Sequence, residues 1–357
     1  MTRECHVRFW ESLRGEFPRA THLPFYRQAG ILQRSGVKIS RGTMSEWALK
    51  VADQCKPLLD LMRREILSGP VIGIDETTVQ VLGEEGRANT QKSYMWVFRG
   101  GSSTRENGLP DKQAVIFQYH SGRSGQVARD FLGRYKGWVQ TDGFSGYDWI
   151  DATSGIKHIG CMAHSRRKFH EAANIAGKAG RKKRRRTSAD VAMKFFQKLY
   201  AIEARARQLQ LGPDEIHALR QKEAVPVLTE FKAWLDDICV RVNPKGTLGK
   251  AVGYALKQWP RLIRYVEDGR LPIDNNLVEN AIRPFCLGRK NWLFSGSPKG
   301  AAASAALYSI IETARACGHE PYAYLRHLFE QLPLCQSEDD YRRLLPMNIL
   351  PDGQPKS

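Results

Sequence analysis

The chain has 357 residues, 42% of them hydrophobic, which leaves room for two or three domains and excludes a disordered polymer. Lys and Arg total 55 against 37 Asp and Glu, a net charge of +18 that suits a polyanionic partner without naming one. Seven scattered cysteines with no C-x-x-C pair argue against a disulfide framework. With no apolar leader or membrane-length apolar run, the expectation is a cytoplasmic protein with no membrane association.

The first helical pattern, "LPFYRQAGILQRSG", carries Leu23, Tyr26, Ala29, Ile31 and Leu32 near helical spacing and ends at Gly36. A second helix in "KISRGTMSEWALKVADQCKPLLDLM" begins behind Ser40, its predicted N-cap, and continues through Met44, Trp47, Ala48 and Val51. Two helices joined by a short Gly-containing turn fit a helix-turn-helix or a plain helical hairpin equally well, and residues 1–68 form this N-terminal segment. From Pro70 the period becomes that of strands. "PVIGIDETTVQVLG", "KSYMWVFRGG" and "KQAVIFQYHSG" predict an antiparallel meander. A helix in "SGQVARDFLGRYKG", a strand in "WVQTDG", a helical turn in "SGYDWIDA", a strand in "GIKHIGCMAH" and a helix in "SRRKFHEAANIAG" complete a first core part over 69–176. That order predicts an α/β fold whose mixed sheet has a parallel portion made by crossovers. Residues 177–270 lose all strand signal and read as an α-helical insertion, entered through the basic run Arg181–Arg186. Residues 271–335 return to the core, and 336–357 are a C-terminal tail.

Three acids stand at informative places. Asp75 interrupts an apolar strand, where an unpartnered carboxylate is costly and its pKa rises. Asp142 follows the strand in "GWVQT", with Gly143 permitting close backbone approach, and Glu279 lies on a helix after the insertion. Each has an ordinary reading: an arginine partner for Asp75, a turn for Asp142, an i, i+4 pair with Arg283 for Glu279. Together they suit two-metal phosphodiester cleavage, in which hard cations take carboxylate and phosphate oxygens and Asp75 would bridge.

In "PIDNNLVENAIRPFCLGRKNWLFSGS", Asp274 can cap a helix whose apolar stripe is Val278, Ala281, Ile282 and Phe285. Asn275, Asn276, Glu279 and Arg283 form the opposite stripe, and Pro284 should kink or end the helix. Arg289, Lys290, Asn291 and Trp292 then place cations beside an aromatic, as DNA next to the site requires. Arg166, Arg167 and Lys168 in "CMAHSRRKFH" suit phosphate more than a zinc site built on Cys161, His164 and His170, whose spacing is loose.

These stretches carry a family resemblance. "VIGIDETTVQVL", "VQTDGFSGY", "GCMAHSRRKF", "DNNLVENAIRPFCLGRKNWLFSGSPKGA" and "YSIIETARACGHEPYAYL", in that order over Leu23–Pro346, resemble the insertion sequence 66 family of DDE transposases. The resemblance implies an RNase H-like catalytic domain with the insertion before its last catalytic helix. It also implies Asp75, Asp142 and Glu279 as the metal-binding triad, with Mg2+ (or Mn2+) as cofactor. The implied partners are transposon-end and target DNA, further copies of the chain on that DNA and accessory proteins of the element, at the bacterial nucleoid. Glu312 in "IIET" belongs to the same pattern, but its Ala-rich apolar helix suits a hydrogen-bonded structural acid. Larger members begin with a coiled coil, a zinc-binding segment and DNA-binding helices. The start "MTRECHVRFWESL" has no such pattern, so the chain is expected to lack that module. A non-catalytic copy that represses transposition is the alternative, and a ribonuclease H or junction resolvase a third reading.

Overall fold

The computed structural model describes residues 24–101, 113–179 and 187–349. The basic run Arg181–Arg186, residues 1–23 and the tail from 350 onward lie outside the described residues. Among the described residues the N-terminal part has three helices, α1 (Phe25–Arg34), α2 (Arg41–Gln54) and α3 (Lys56–Ser68). Ser40 caps α2 by accepting the Thr43 N–H at 3.0 Å. The single helix expected after Ser40 is divided at Cys55, because Pro57 lacks an N–H and suits the first turn of a new helix.

A mixed sheet follows. β1 (Val71–Val81), β2 (Lys92–Gly100) and β3 (Ala114–His120) form the expected antiparallel meander. After α4 (Gln126–Leu132) come β4 (Gly137–Gln140), a 3-10 turn (Ser145–Ala152) and β5 (Ile156–Ile159). β4 lies parallel to β1 and β5 parallel to β4, giving the order β3-β2-β1-β4-β5. The long α5 (Met162–Ala179) leads into the insertion: α6 (Ser188–Gln208), α7 (Pro213–Leu219), α8 (Val225–Cys239) and α9 (Thr247–Leu262). The chain then returns to the sheet with α10 (Asn276–Trp292), the short β6 (Phe294–Ser295) beside the end of β1, and α11 (Pro298–Ala316). Two small helices, α12 (Pro321–Gln331) and α13 (Glu338–Arg343), finish the described chain. The fold is RNase H-like: a mixed sheet flanked by helices.

Strand alternation decides which helix each face meets. Ile72 and Ile74 of β1 pack with Leu58, Leu61, Met62 and Ile66 of α3, whereas Val79 and Val81 pack with Val278, Ala281, Ile282 and Phe285 of α10. The odd-numbered face of β1 therefore belongs to α10, and Asp75 is on it. Gly73, two residues earlier, admits the helix: a Cβ there would lie 2.3 Å from Val278 Cγ2. On the sheet's edge, α11 covers β3. Thr313 Oγ1 accepts the Val115 N–H at 2.9 Å and Ser309 Oγ the Phe117 N–H at 2.8 Å, so side chains occupy a ladder that would otherwise be open.

The α10 helix does not end at Pro284; it continues to Trp292. Proline denies a partner to the carbonyl four residues back, which belongs to exposed Asn280 and is within reach of water. Buried anchors before and after it, Ile282 and Phe285, hold the helix to the sheet. Asp274 does not take the capping position expected of it, which falls to Asn275; from one residue earlier its Oδ1 accepts the Asn276 N–H at 3.1 Å and its Oδ2 the Tyr200 hydroxyl of α6 at 2.7 Å.

Candidate active site

Register brings the two aspartates level. Gly73 of β1 pairs with Gln140 of β4, and each acid lies two residues further along its own segment. Asp75 Oδ1 accepts the Glu76 N–H at 2.9 Å, and Asp142 Oδ1 accepts the Phe144 N–H at 2.9 Å in a local turn. Glu279 approaches from the first turn of α10, which is pinned to β1 by Asn275 Nδ2 donating to the Ile74 carbonyl at 3.0 Å; among the described residues its ligand atoms group within 4.8 Å with those of Cys161 and His164, not with those of Asp75 and Asp142. Burial, the neighbouring Glu76 and the charges of Asp142 and Glu279 together push the Asp75 carboxyl up to about 8. Two acids far from Asp75 in sequence thus act on its charge.

Their surroundings come from elements that give no sequence signal of a site. Glu76 points to the opposite face of β1, where its carboxylate meets Arg123 at 2.5 Å and accepts the Tyr147 hydroxyl. The Arg123 guanidinium also lies 3.7 Å from the centre of the Phe144 ring, tying β1 to the loop that carries Asp142. From the insertion, α9 delivers Tyr254. A Cβ at Gly143 would lie 2.6 Å from the Tyr254 hydroxyl, so the close approach that Gly143 permits is that of a tyrosine ring. Burial, and then the Asp142 charge, raise the Tyr254 phenol well above its ordinary range. Lys168 Nζ caps the same ring at 4.7 Å from its centre.

On Glu279, Oε2 lies 3.4 Å from Arg167 Nη2 and Oε1 lies 3.5 Å from His164 Nδ1. Arg283, expected as the ordinary i, i+4 partner, does not pair with Glu279 among the described ion pairs and is exposed. Glu312 is buried and held by Arg315 at 2.6 Å, with burial pushing its carboxyl up to about 7. It takes the structural position that its apolar helix suggested.

The side chains expected at phosphates divide into two groups. Asn276, Arg283, Lys290 and Asn291 on α10, and Arg166, Arg167 and Lys168 on α5, are exposed. Asn275 departs from the solvent-facing stripe expected of it: it is 1% exposed, because its amide holds the β1 carbonyl. Arg289 is half-buried and donates to Thr77 Oγ1 at 3.0 Å and to the Thr78 carbonyl, clamping the far end of α10 to β1. Trp292 is likewise half-buried, its ring edge-on to Phe285 at 5.3 Å. These three hold the helix that carries Glu279.

Known proteins resemble this chain in sequence. Residues 19–303 match the family described as Transposase IS66 family, and residues 309–347 match the IS66 C-terminal element. The uncharacterized protein y4jD of Sinorhizobium fredii (strain NBRC 101917 / NGR234) is 31% identical over 319 residues, covering 88% of this chain and 60% of that protein. The uncharacterized protein y4qI of the same organism is 28% identical over 341 residues, covering 94% of this chain and 61% of that one. The chain therefore spans about three-fifths of the length of the relatives it matches. With the family's two segments matched in order along one sheet and its flanking helices, the chain belongs to the IS66 transposase family.

Proposed function

We propose that this chain is the catalytic part of a DNA transposase, cutting DNA at transposon ends and joining the freed strand to target DNA. The observation that carries the reading is the place of Asp75 on the α10-facing side of the central strand, level with Asp142 and with Glu279 on the helix opposite, where burial and the neighbouring acids push its carboxyl up to about 8. An all-oxygen, surplus-negative set of this kind fits a hard divalent cation. Asp75, Asp142 and Glu279 would hold Mg2+, with Mn2+ able to substitute, and the bound ions would supply charge neutralisation and activation of water. In the cut, a water oxygen attacks phosphorus and the 3′-oxygen leaves; in the transfer, that 3′-hydroxyl attacks a target phosphodiester. The exposed cations of α5 and α10 would hold the DNA backbone, and the proposal includes further copies of the chain on DNA, the element's accessory proteins and a cytoplasmic, nucleoid location.

The test is nicking of end-containing DNA with Mg2+ or Mn2+, beside a binding isotherm. Asp75→Asn keeps size and hydrogen bonding but removes a ligand charge, so nicking should collapse while DNA binding survives or rises slightly. Equal nicking by wild type and Asp75→Asn would overturn the assignment. Tight DNA binding with no nicking by the wild type under any divalent cation would favour a repressor instead.

A further inference from the structure

We infer that Cys161, His164 and Glu279 form a capture site for a thiophilic divalent cation of the Zn2+ type, separate in ligand chemistry from the all-oxygen set and sharing Glu279 with it. Cys161 sits between β5 and α5, and His164 lies in the first turn of α5. One ligand atom from each of the three residues lies within 4.8 Å of the other two. Cys161 Sγ is fixed against the start of α10 by accepting the Asn275 N–H at 3.3 Å. His164 Nδ1 and Glu279 Oε1 face each other at 3.5 Å, shielded from solvent, and neither holds a hydrogen bond. Buried polar atoms left in that condition are uncommon and call for a partner.

The donors decide the class of cation. Thiolate, imidazole and carboxylate are the groups zinc takes, and a hard magnesium ion prefers oxygen alone. Ligand atoms around tetrahedral zinc are about 3.3–3.8 Å apart. His164 and Glu279 already meet that spacing, and the thiol, within 4.8 Å of both, closes the remainder as the metal binds. Water completes the fourth position, and the thiol proton passes to solvent as the metal binds. A cation held there draws Glu279 toward α5 and away from Asp75 and Asp142, so it should inhibit the enzyme. Only this inhibition rests on the proposed function; the binding does not.

Co2+ is the probe, because a thiolate ligand gives it a charge-transfer band in the near ultraviolet. Titration of the full chain should show one such site. Cys161→Ser should abolish the band and Glu279→Gln should weaken Co2+ binding about tenfold or more. Asp75→Asn and the exposed-surface control Cys239→Ser should leave the band in place. Folding of each variant is checked by circular dichroism. A band that survives in Cys161→Ser, or that is lost in Asp75→Asn, overturns the site, as does the absence of any band in the folded wild type. In nicking assays with Mg2+, low Zn2+ should inhibit the wild type and not Cys161→Ser; equal inhibition of both would overturn the inhibitory role.

Discussion

The helical insertion and the central strand of the sheet both take carboxylates out of water, and they treat them in opposite ways. In the insertion, Glu203 is buried against Arg220 in a two-pronged pair, 2.9 Å and 2.7 Å. The remaining guanidinium nitrogen of Arg220 donates to the Tyr265 and Asp268 carbonyls at 2.7 Å and 2.9 Å, so the charges are met on every side. On the central strand Asp75 receives a single backbone N–H, and the charges that act on it most are other acids. An ion pair completed in this way serves the fold. A carboxylate surrounded by its own kind costs stability, a cost that the proposed cation would reverse.

The largest expected difference follows from exchanging one acid of each kind on the helices that flank the sheet. Glu279→Gln should cut metal-dependent nicking by about a hundredfold or more, since even residues supporting a metal ligand are worth about 10–100-fold. Glu312→Gln, on the buried acid paired with Arg315, should leave nicking within a few-fold of wild type. Parallel rate measurements on the two folded variants decide it, and a reversed ranking would move the third acid to Glu312.

Next in size is the insertion's own pair. Arg220→Met leaves Glu203 buried without its cation and should destabilise the insertion by about 3–5 kcal/mol. Adding Glu203→Leu removes the stranded charge and should restore most of that loss, because a well-packed apolar pair often replaces a buried ion pair at little cost. Denaturant unfolding of the two variants measures the difference. If the single variant were as stable as the double, the pair would not be the closed unit its geometry describes.

The order of strands, the apolar stripe of α10 and the place of Asp75 were legible in the sequence because strand and helix periods are local signals. Val278, Ala281, Ile282 and Phe285 all lie buried against β1 and its neighbours, as their spacing required. What was not legible is contact between distant segments. Nothing around Tyr254 marks it as the neighbour of Gly143, since a tyrosine on an amphipathic helix reads as core. Glu76 was hidden by its neighbour: alternation sends Asp75 to α10 and Glu76 to Arg123 and Tyr147 on the other face. Asn275 and Arg289 were misplaced for a related reason. A polar residue beside a strand backbone can satisfy that backbone, and sequence patterning alone assigns such residues to solvent.

A smaller effect concerns pH. Burial raises the Glu312 carboxyl to about 7 in the folded chain, against about 4.3 for an exposed glutamate. Between those values the folded state holds the proton more tightly than the unfolded one. This group's contribution to stability is therefore full below about pH 4, declines as pH rises and is lost above about pH 7. Glu312→Gln keeps an uncharged side chain of the same shape, so it should flatten that part of the stability–pH curve. Thermal unfolding across the window checks it; an unchanged slope would mean that Arg315 keeps Glu312 charged throughout.

The smallest effect separates cations that face solvent from those used to hold the helix. Arg283 and Lys290 are exposed on α10, whereas Arg289 on the same helix is spent on Thr77 and Thr78. If DNA lies along α10, each exposed cation that meets a phosphate adds about one unit to the slope of log affinity against log salt. Arg283→Gln and Lys290→Gln should each lower that slope by about one and weaken binding evenly across sequences. Arg289→Gln should leave the slope unchanged and instead loosen α10 on β1, seen as a lower unfolding temperature. Salt titrations of the three variants against one DNA make the comparison. A slope change in Arg289→Gln equal to the other two would show that its guanidinium leaves the threonines for phosphate when DNA arrives, and the clamp on β1 would then be a resting arrangement.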